Sequence, residues 1–145
     1  MGSAVKIEFK GLARILARYQ KLPENVERSI ADGINKAAGI VEGSAKKKCP
    51  VDTGNLRGSI HIMRRATAGK EMSATVGTNV EYAPFVEFGT GVRGAATNEN
   101  TKVAVSYAPD WAGQAAQPYL MPALRENKDN IEKIIFREVI EGINK

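Results

Sequence analysis

Residues 24–48, with the sequence ENVERSIADGINKAAGIVEGSAKKK, decide the fold. Apolar side chains recur through this stretch at helical spacing, which places them on one face of a helix: Val26, Ile30, Ile34, Ala37, Ala38, Val41 and Ala45. Acidic residues near its start and the lysines at 46–48 suit the two ends of a helix dipole, and Pro50 prevents continuation. The stretch therefore predicts one long helix.

This helix is long for its domain. At about 1.5 Å per residue it spans roughly 37 Å, whereas a globule of 145 residues has a radius of gyration of about 15 Å. We therefore expect that the helix either bends at Gly33, Gly39 or Gly43, or lies partly against a neighbouring subunit.

Strands are predicted on both sides of the helix. Apolar and polar residues alternate over residues 5–9, which indicates a short strand, and helical spacing over 12–19 indicates a short helix after it. Downstream, alternation over 56–62 and 72–80 predicts an antiparallel hairpin with its turn at 67–70. One face of that hairpin is apolar, as expected for a sheet that packs on helices.

The last third of the chain predicts a loop and then a second amphipathic helix. Residues 89–118 are predicted to form a long mobile loop, which contains at most one further strand at Val103, Val105 and Tyr107. The helix begins near Pro122, and its buried stripe is expected to consist of Leu124, Ile131, Ile134, Ile135, Val139 and Ile143.

This order of elements predicts an α+β fold in a single domain over residues 1–145. We expect a small antiparallel sheet, the hairpin plus one or two further strands, packed against one long central helix and a C-terminal helix.

Composition narrows the possible chemistry. One Cys and one His exclude a disulfide framework and a zinc site built within one chain, so neither a metal nor a cofactor is expected. No apolar run approaches ~18 residues, so a membrane partner is not expected either. Cys49 and His61 could form a nucleophile and base, with the nearby lysines lowering the pKa of the thiol, but an inert small side chain is the simpler interpretation. We expect a protein that is not an enzyme.

Two further patterns have structural interpretations. Residues 89–94, GTGVRG, match the G-x-G-x-x-G pattern of dinucleotide sites, but no β-α-β frame surrounds them, and we interpret them as a glycine-rich loop. Glu81 and Glu87 lie in one segment without the cleft that paired acids need for hydrolysis. Because Glu87 lies between two phenylalanines, we expect its carboxylate to be partly buried and to pair with Arg57.

Charge is unevenly distributed along the chain. The net charge is +5, with residues 46–70 contributing +6 and residues 71–145 contributing −3. A solvated helix end and hairpin face explain the basic segment, but it could also contact phosphates. The candidate contacts are Lys46, Lys47, Lys48, Arg64 and Arg65, and they define the alternative function, a module that binds nucleic acid.

Three blocks of sequence form a recognisable pattern. They are PVDTGNLRGSI at 50–60, YAPFVEFGT at 82–90 and QPYLMPAL at 117–124. The first also has a physical interpretation as a tight turn, since Asp52, Thr53 and Gly54 offer side-chain caps and a position for positive φ. In this order and spacing the blocks resemble the HK97 gp10-like family of tailed-phage proteins, over residues 5–143, and Met121 departs from the basic residue frequent in that family. The residues that carry the resemblance are Asp52, Thr53, Gly54, Leu56, Arg57, Tyr82, Ala83, Glu87, Gly89, Thr90, Pro118, Leu120, Pro122, Ala123 and Leu124.

The resemblance implies a structural part of a phage or prophage neck or tail that joins the head connector to the tail. It implies a ring-like homo-oligomer, with a hexamer as one candidate, whose partners are the connector and the tail-terminator or tail-tube proteins. DNA would only pass through the ring. The expected location is the virion neck or tail, and the host bacterial cytoplasm during assembly.

Overall fold

The computed structural model describes residues 3–8, 24–51, 54–70, 72–99 and 104–144. The α+β prediction is confirmed, with an antiparallel sheet on a long helix that also packs against a C-terminal helix. The predicted helix at 12–19 lies outside the described residues. The described elements are β1 (Ser3–Glu8), α1 (Glu24–Lys48), α2 (Asn55–Ser59), β2 (His61–Arg64), β3 (Ser73–Thr78), α3 (Ala83–Phe88), α4 (Gly91–Thr97), α5 (Leu120–Glu126) and α6 (Lys128–Ile143).

Helix α1 is the centre of the core. It runs as one helix over all of residues 24–48, and its predicted apolar stripe is buried, with Ile34, Ala37, Ala38 and Val41 fully shielded from solvent. The sheet packs against it, as do helices α5 and α6. Helix α1 therefore contacts the sheet and both C-terminal helices of its own chain.

Helices α1 and α6 cross closely because glycines lie at their contact. A Cβ atom on Gly33 would lie 2.9 Å from the Ile135 Cα, and one on Gly142 would lie 1.8 Å from the Ser29 Oγ. Asn25 Nδ2 donates to the Gly142 carbonyl at 3.0 Å, and Lys36 pairs with Glu138 across the same contact. Gly33 thus provides close approach, whereas Gly39 has no neighbour within 4 Å of such a Cβ.

The sheet has the strand order β1-β3-β2, and both pairings are antiparallel. Val76 in the central strand lies opposite Val5 on one side and Ile62 on the other. A bulge follows Ile62 in β2. Beyond the bulge, the backbone of Ala66 is hydrogen-bonded to the Asn35 side chain on α1. Asn35 Oδ1 accepts from the Ala66 N–H at 2.7 Å, and Asn35 Nδ2 donates to the Ala66 carbonyl at 3.0 Å. The sheet is therefore attached to α1 at its end.

The predicted first hairpin strand is partly wrong. Residues 55–59 form the short helix α2, and only His61–Arg64 form the strand. Gly54 before α2 has φ 80°, a left-handed conformation that glycine adopts without strain, and its carbonyl accepts from the Gly58 N–H at 2.9 Å. The turn at 67–70 is confirmed by a hydrogen bond from the Lys70 N–H to the Thr67 carbonyl.

The C-terminal helical segment differs from the prediction in two ways. It is divided at Asn127 into α5 and α6, and it begins at Leu120 rather than Pro122. Ile131 and Ile135 are buried as predicted, but Ile143 is 60% exposed. The reason is its position: Gly142 faces α1, and the next residue points about 100° away around the helix.

Residues 89–118 are not a plain loop. Residues 91–97 form α4, and 104–118, hereafter the strap, run back across α3 and α4. Val105 and Tyr107 belong to no strand, and Val103 lies outside the described residues. The mobility of this segment stays a prediction.

We predict that Gly33→Ala lowers the free energy of unfolding by about 1–3 kcal/mol, because the added methyl group forces α1 and α6 apart. The matched control is Gly39→Ala in the same helix, which adds a methyl group in open space and should raise stability by about 0.5–1 kcal/mol. Urea denaturation of the two variants measures both values. Equal effects of the two substitutions would contradict the close contact at Gly33.

Candidate functional site

The three motif blocks meet around one groove of about 510 Å³, hereafter the motif groove. Its lining consists of Pro50, Val51, Gly54, Asn55 and Leu56 from the first block, Tyr82, Phe85 and Val86 from the second, Gln117 from the third, and Gln114 and Ala115 from the strap. Asp52 and Thr53 of the first block lie outside the described residues. Sequence segments far apart along the chain therefore build a single concave surface.

Large apolar side chains at the motif groove are exposed to solvent. Phe85 is 61% exposed, Val51 is 57% exposed and Tyr82 is 42% exposed. Polar amides accompany them, and Asn55 Nδ2 donates to the Tyr82 hydroxyl at 3.4 Å. Aromatic side chains beside neutral polar groups are the composition that protein–protein contact surfaces favour. The groove thus has the character of a contact surface.

Helix α3 presents Tyr82 and Phe85 because its opposite face is buried. Ala83 is fully shielded in the core, and Pro84 occupies the first turn, where no intrahelical N–H donor is needed. The strap fixes the other side of α3, since the Gln117 N–H donates to the Val86 carbonyl at 2.8 Å. Phe85 of this short helix, and Tyr82 just before it, are left exposed.

The Glu87 carboxylate joins the second block to the third. It is 5% exposed, and it accepts three backbone hydrogen bonds at the start of α5. Tyr119 N–H donates to Oε2 at 2.8 Å, Leu120 N–H donates to Oε2 at 3.1 Å, and Met121 N–H donates to Oε1 at 3.0 Å. These are groups that a helix start leaves without intrahelical partners. A carboxylate is favourable there because it meets the positive end of the helix dipole.

The predicted ion pair between Arg57 and Glu87 is not formed. Glu87 is buried as expected, but its oxygens are taken by backbone N–H groups of residues 119–121. Arg57 lies on α2 with an exposed side chain, and within the described residues no ion pair joins it to Glu87. The error has a clear cause: Arg57 was placed on a strand, whereas α2 turns it toward solvent.

The glycines of the G-x-G-x-x-G pattern serve close packing of the strap. A Cβ on Gly89 would lie 2.6 Å from the Ala116 nitrogen, and one on Gly91 would lie 2.5 Å from the Trp111 carbonyl oxygen. Thr90 bridges to Gln114 in both directions, with N···O distances of 2.9 and 3.0 Å. The glycine-rich segment is thus part of a backbone-to-backbone contact, which leaves no room there for a pyrophosphate.

Cys49 and His61 have separate partners. The buried Cys49 thiol lies 3.5 Å from the Pro50 carbonyl, and His61 Nδ1 lies 2.8 Å from the Ser59 carbonyl on an exposed side chain. Burial raises the pKa of the Cys49 thiol, Arg57 opposes the rise and Glu87 adds to it. The expectation that nearby lysines lower this pKa is therefore wrong, because burial has the largest effect and Arg57 is the cation that opposes it.

The remaining polar candidates do not converge. Glu81 is exposed, whereas Glu87 is buried and fully engaged, so the two acids differ in surroundings and have separate roles. Across the described ranges, no group of three or more His, Cys, Asp or Glu side chains could hold a metal ion. None of the helices in those ranges has an apolar run long enough to cross a bilayer.

The basic segment is partly neutralised by its own chain. Lys46 pairs with Glu42 at 3.1 Å, one turn earlier in α1, and Lys48 pairs with Glu126 of α5. Lys47, Arg64 and Arg65 have exposed side chains. Two of the five candidate phosphate contacts are therefore already paired with carboxylates.

Most of the remaining motif residues are buried. Leu56, Leu120, Pro122 and Ala123 are buried, Leu124 is half-buried and Pro118 is exposed. Sequence reasoning missed the motif groove itself, although the three blocks were the signal that could have located it. The blocks together indicate a family resemblance, and the first indicates a tight turn, but neither interpretation places the three blocks side by side in space.

We predict that Glu87→Ala lowers the free energy of unfolding by about 2–4 kcal/mol, because three buried N–H donors lose their acceptors. Glu87→Gln keeps one acceptor oxygen and should lose less. The control is Glu81→Gln in the same segment, whose exposed carboxylate should contribute almost nothing. Chemical denaturation that showed equal small losses at positions 81 and 87 would contradict this role.

We predict that the native Cys49 thiol reacts slowly with a disulfide reagent at neutral pH and that unfolding exposes it to rapid reaction. Since the pKa is higher in the folded state, the associated stability is present below the thiol's usual pKa and is lost as pH rises through the folded value. A time course of thiol modification at several pH values, with the denatured chain as the reference, measures this. Equal rates for the native and denatured chains would show that Cys49 is accessible.

Comparison with known proteins identifies the family. The chain matches the HK97-gp10-like family, described as "Bacteriophage HK97-gp10, putative tail-component", over residues 13–89, which is just over half of its length. The matched region contains α1, the sheet strands β2 and β3, the first motif block, and all of the second block except Thr90. Comparison with curated proteins and with solved structures gave no match. The chain belongs to the HK97 gp10-like family of bacteriophage tail components.

Proposed function

We propose that this protein is a structural, non-enzymatic component of a phage or prophage neck that joins the head connector to the tail and acts through ring-like self-assembly. The observation that carries the proposal is the motif groove. It gathers the blocks of the sequence into one surface with exposed aromatic side chains, as an assembly protein requires. Membership of a tail-component family supports a structural role in the virion.

The partners follow from that position. The protein contacts other copies of itself, the head–tail connector on one side and a tail-terminator or tail-tube protein on the other. Contacts between different surfaces of identical subunits close into rings, and a hexamer is one such ring. Assembly takes place in the host bacterial cytoplasm, and DNA passes through the finished ring.

The alternative is a nucleic-acid-binding module that uses the basic segment. Its support is weaker than that of the joining role, because Lys46 and Lys48 already have carboxylate partners. A salt-dependent shift with duplex DNA that disappears on changing Arg64 and Arg65 would favour the alternative.

We predict that deletion of the gene from the source phage yields filled heads beside separate tails of finished length in electron micrographs of lysates. Complementation with Phe85→Ser should fail to restore joined particles, because the change removes an exposed apolar side chain from the motif groove. The matched control is Trp111→Ser, which removes an aromatic side chain that is 57% exposed and lies outside the groove lining.

Two results would contradict the joining role. Normal infectious virions after deletion would remove the protein from the neck altogether, and tails of abnormal length would move it to tail termination. Full complementation by Phe85→Ser would show that the groove is not the surface used.

A further inference from the structure

Helix α6 carries a second exposed apolar surface, hereafter the α6 stripe. Phe136 is 59% exposed, Ile140 is 54% exposed and Ile143 is 60% exposed. Their spacing of four and then three residues places them on one face of the helix. The face that contains Ile131 and Ile135 is buried in the core. A helix apolar on two faces is typical of one that packs both within its subunit and against another.

The α6 stripe can fill a motif groove only in a different copy of the chain. Helix α6 is held on α1 by the close glycine contacts at Gly33 and Gly142 and by the hydrogen bond from Asn25. No α6 residue in the described ranges lines the groove of its own chain. Each copy therefore offers one convex and one concave apolar surface at separate places.

The form of the α6 stripe and the charges beside the two surfaces favour their pairing. A helix that presents side chains at positions i, i+4 and i+7 is the form that hydrophobic grooves accept. Toward its N-terminus the α6 stripe continues into the exposed acids Asp129 and Glu132, with the exposed Lys133 beside them. Beside the groove, Arg57 is exposed and forms no ion pair with another described residue. Attraction between the arginine and these acids favours this pairing over groove to groove.

We propose that the α6 stripe of one copy docks in the motif groove of the next, so that the ring is closed by repetition of this heterologous contact. The proposal rests on the proposed function, since it names the surfaces through which the ring assembles. Phe85 is the central groove residue of the contact, and Ile140 is its counterpart on the stripe.

Disulfide trapping of the purified full-length chain tests the pairing. Chain with Phe85→Cys is mixed at high concentration with chain carrying Ile140→Cys, and the mixture is oxidised and separated on a non-reducing gel. We expect a covalent dimer from the mixture at least ten times more abundant than from either variant alone. The chain that carries both substitutions should form a ladder, because each copy can then be linked at two surfaces.

The controls separate this contact from random collision. Wild-type chain reports any reaction of Cys49, and Phe85→Cys mixed with Thr67→Cys, an exposed position on the hairpin turn, reports non-specific trapping. Dimer yields equal to that of the control pair would overturn the proposal. So would efficient dimerisation of Phe85→Cys alone, which would indicate groove-to-groove contact.

The two proposals fail in different ways. If trapping fails while deletion of the gene leaves heads and tails unjoined, the protein joins particles through other surfaces and only this inference is wrong. If trapping succeeds while deletion leaves virions normal, the self-contact is real and the joining role is wrong.

Discussion

The buried carboxylate of Glu87 is the interaction on which the groove depends. A charge in the core is unfavourable unless it is fully hydrogen-bonded, and here three N–H groups at the start of α5 supply those bonds. The same bonds hold α3 against α5, and so fix the second motif block relative to the third. With Ala83 in the core and the strap bonded to Val86, α3 has one orientation, which exposes Tyr82 and Phe85. The hydrogen bonds that compensate the buried charge of Glu87 therefore also determine the shape of the motif groove.

Glycines at close backbone contacts are the second constraint on the structure. Gly33 and Gly142 allow α1 and α6 to approach closely, and Gly89, Gly91 and Gly113 allow the strap to lie directly on the chain around α4. Both contacts bring backbones together where a methyl group would not fit. The result is a closely packed arrangement of helices behind an exposed groove, with apolar area left on the outside. Exposed apolar area of this kind is typical of surfaces that contact other proteins.

The spacing of apolar residues along the chain predicted the helices and strands that pack an apolar face into the core. The stripe of α1 and the burial of Ile131 and Ile135 followed from spacing alone. The position of β3 was predicted too, but the alternation predicted one buried face, whereas both faces of β3 are largely buried. Spacing failed where a single backbone conformation decides the outcome: Gly54 at positive φ starts α2 in place of a strand, and Arg57 consequently faces solvent. The partners of Glu87 could not be predicted, because every residue except proline has a backbone N–H group, and the sequence does not show which of them donates to this carboxylate. The motif groove could be located only by placing distant blocks side by side.

We propose that the motif residues form a surface through which copies of the chain assemble at the junction of head and tail. A cryo-electron microscopy reconstruction of the neck, in virions that carry this chain, would test this proposal. We expect a ring of copies between connector and tail, with Phe85 of each copy covered by the neighbouring chain. A ring in which Phe85 faces solvent, or density for the chain elsewhere in the particle, would contradict it.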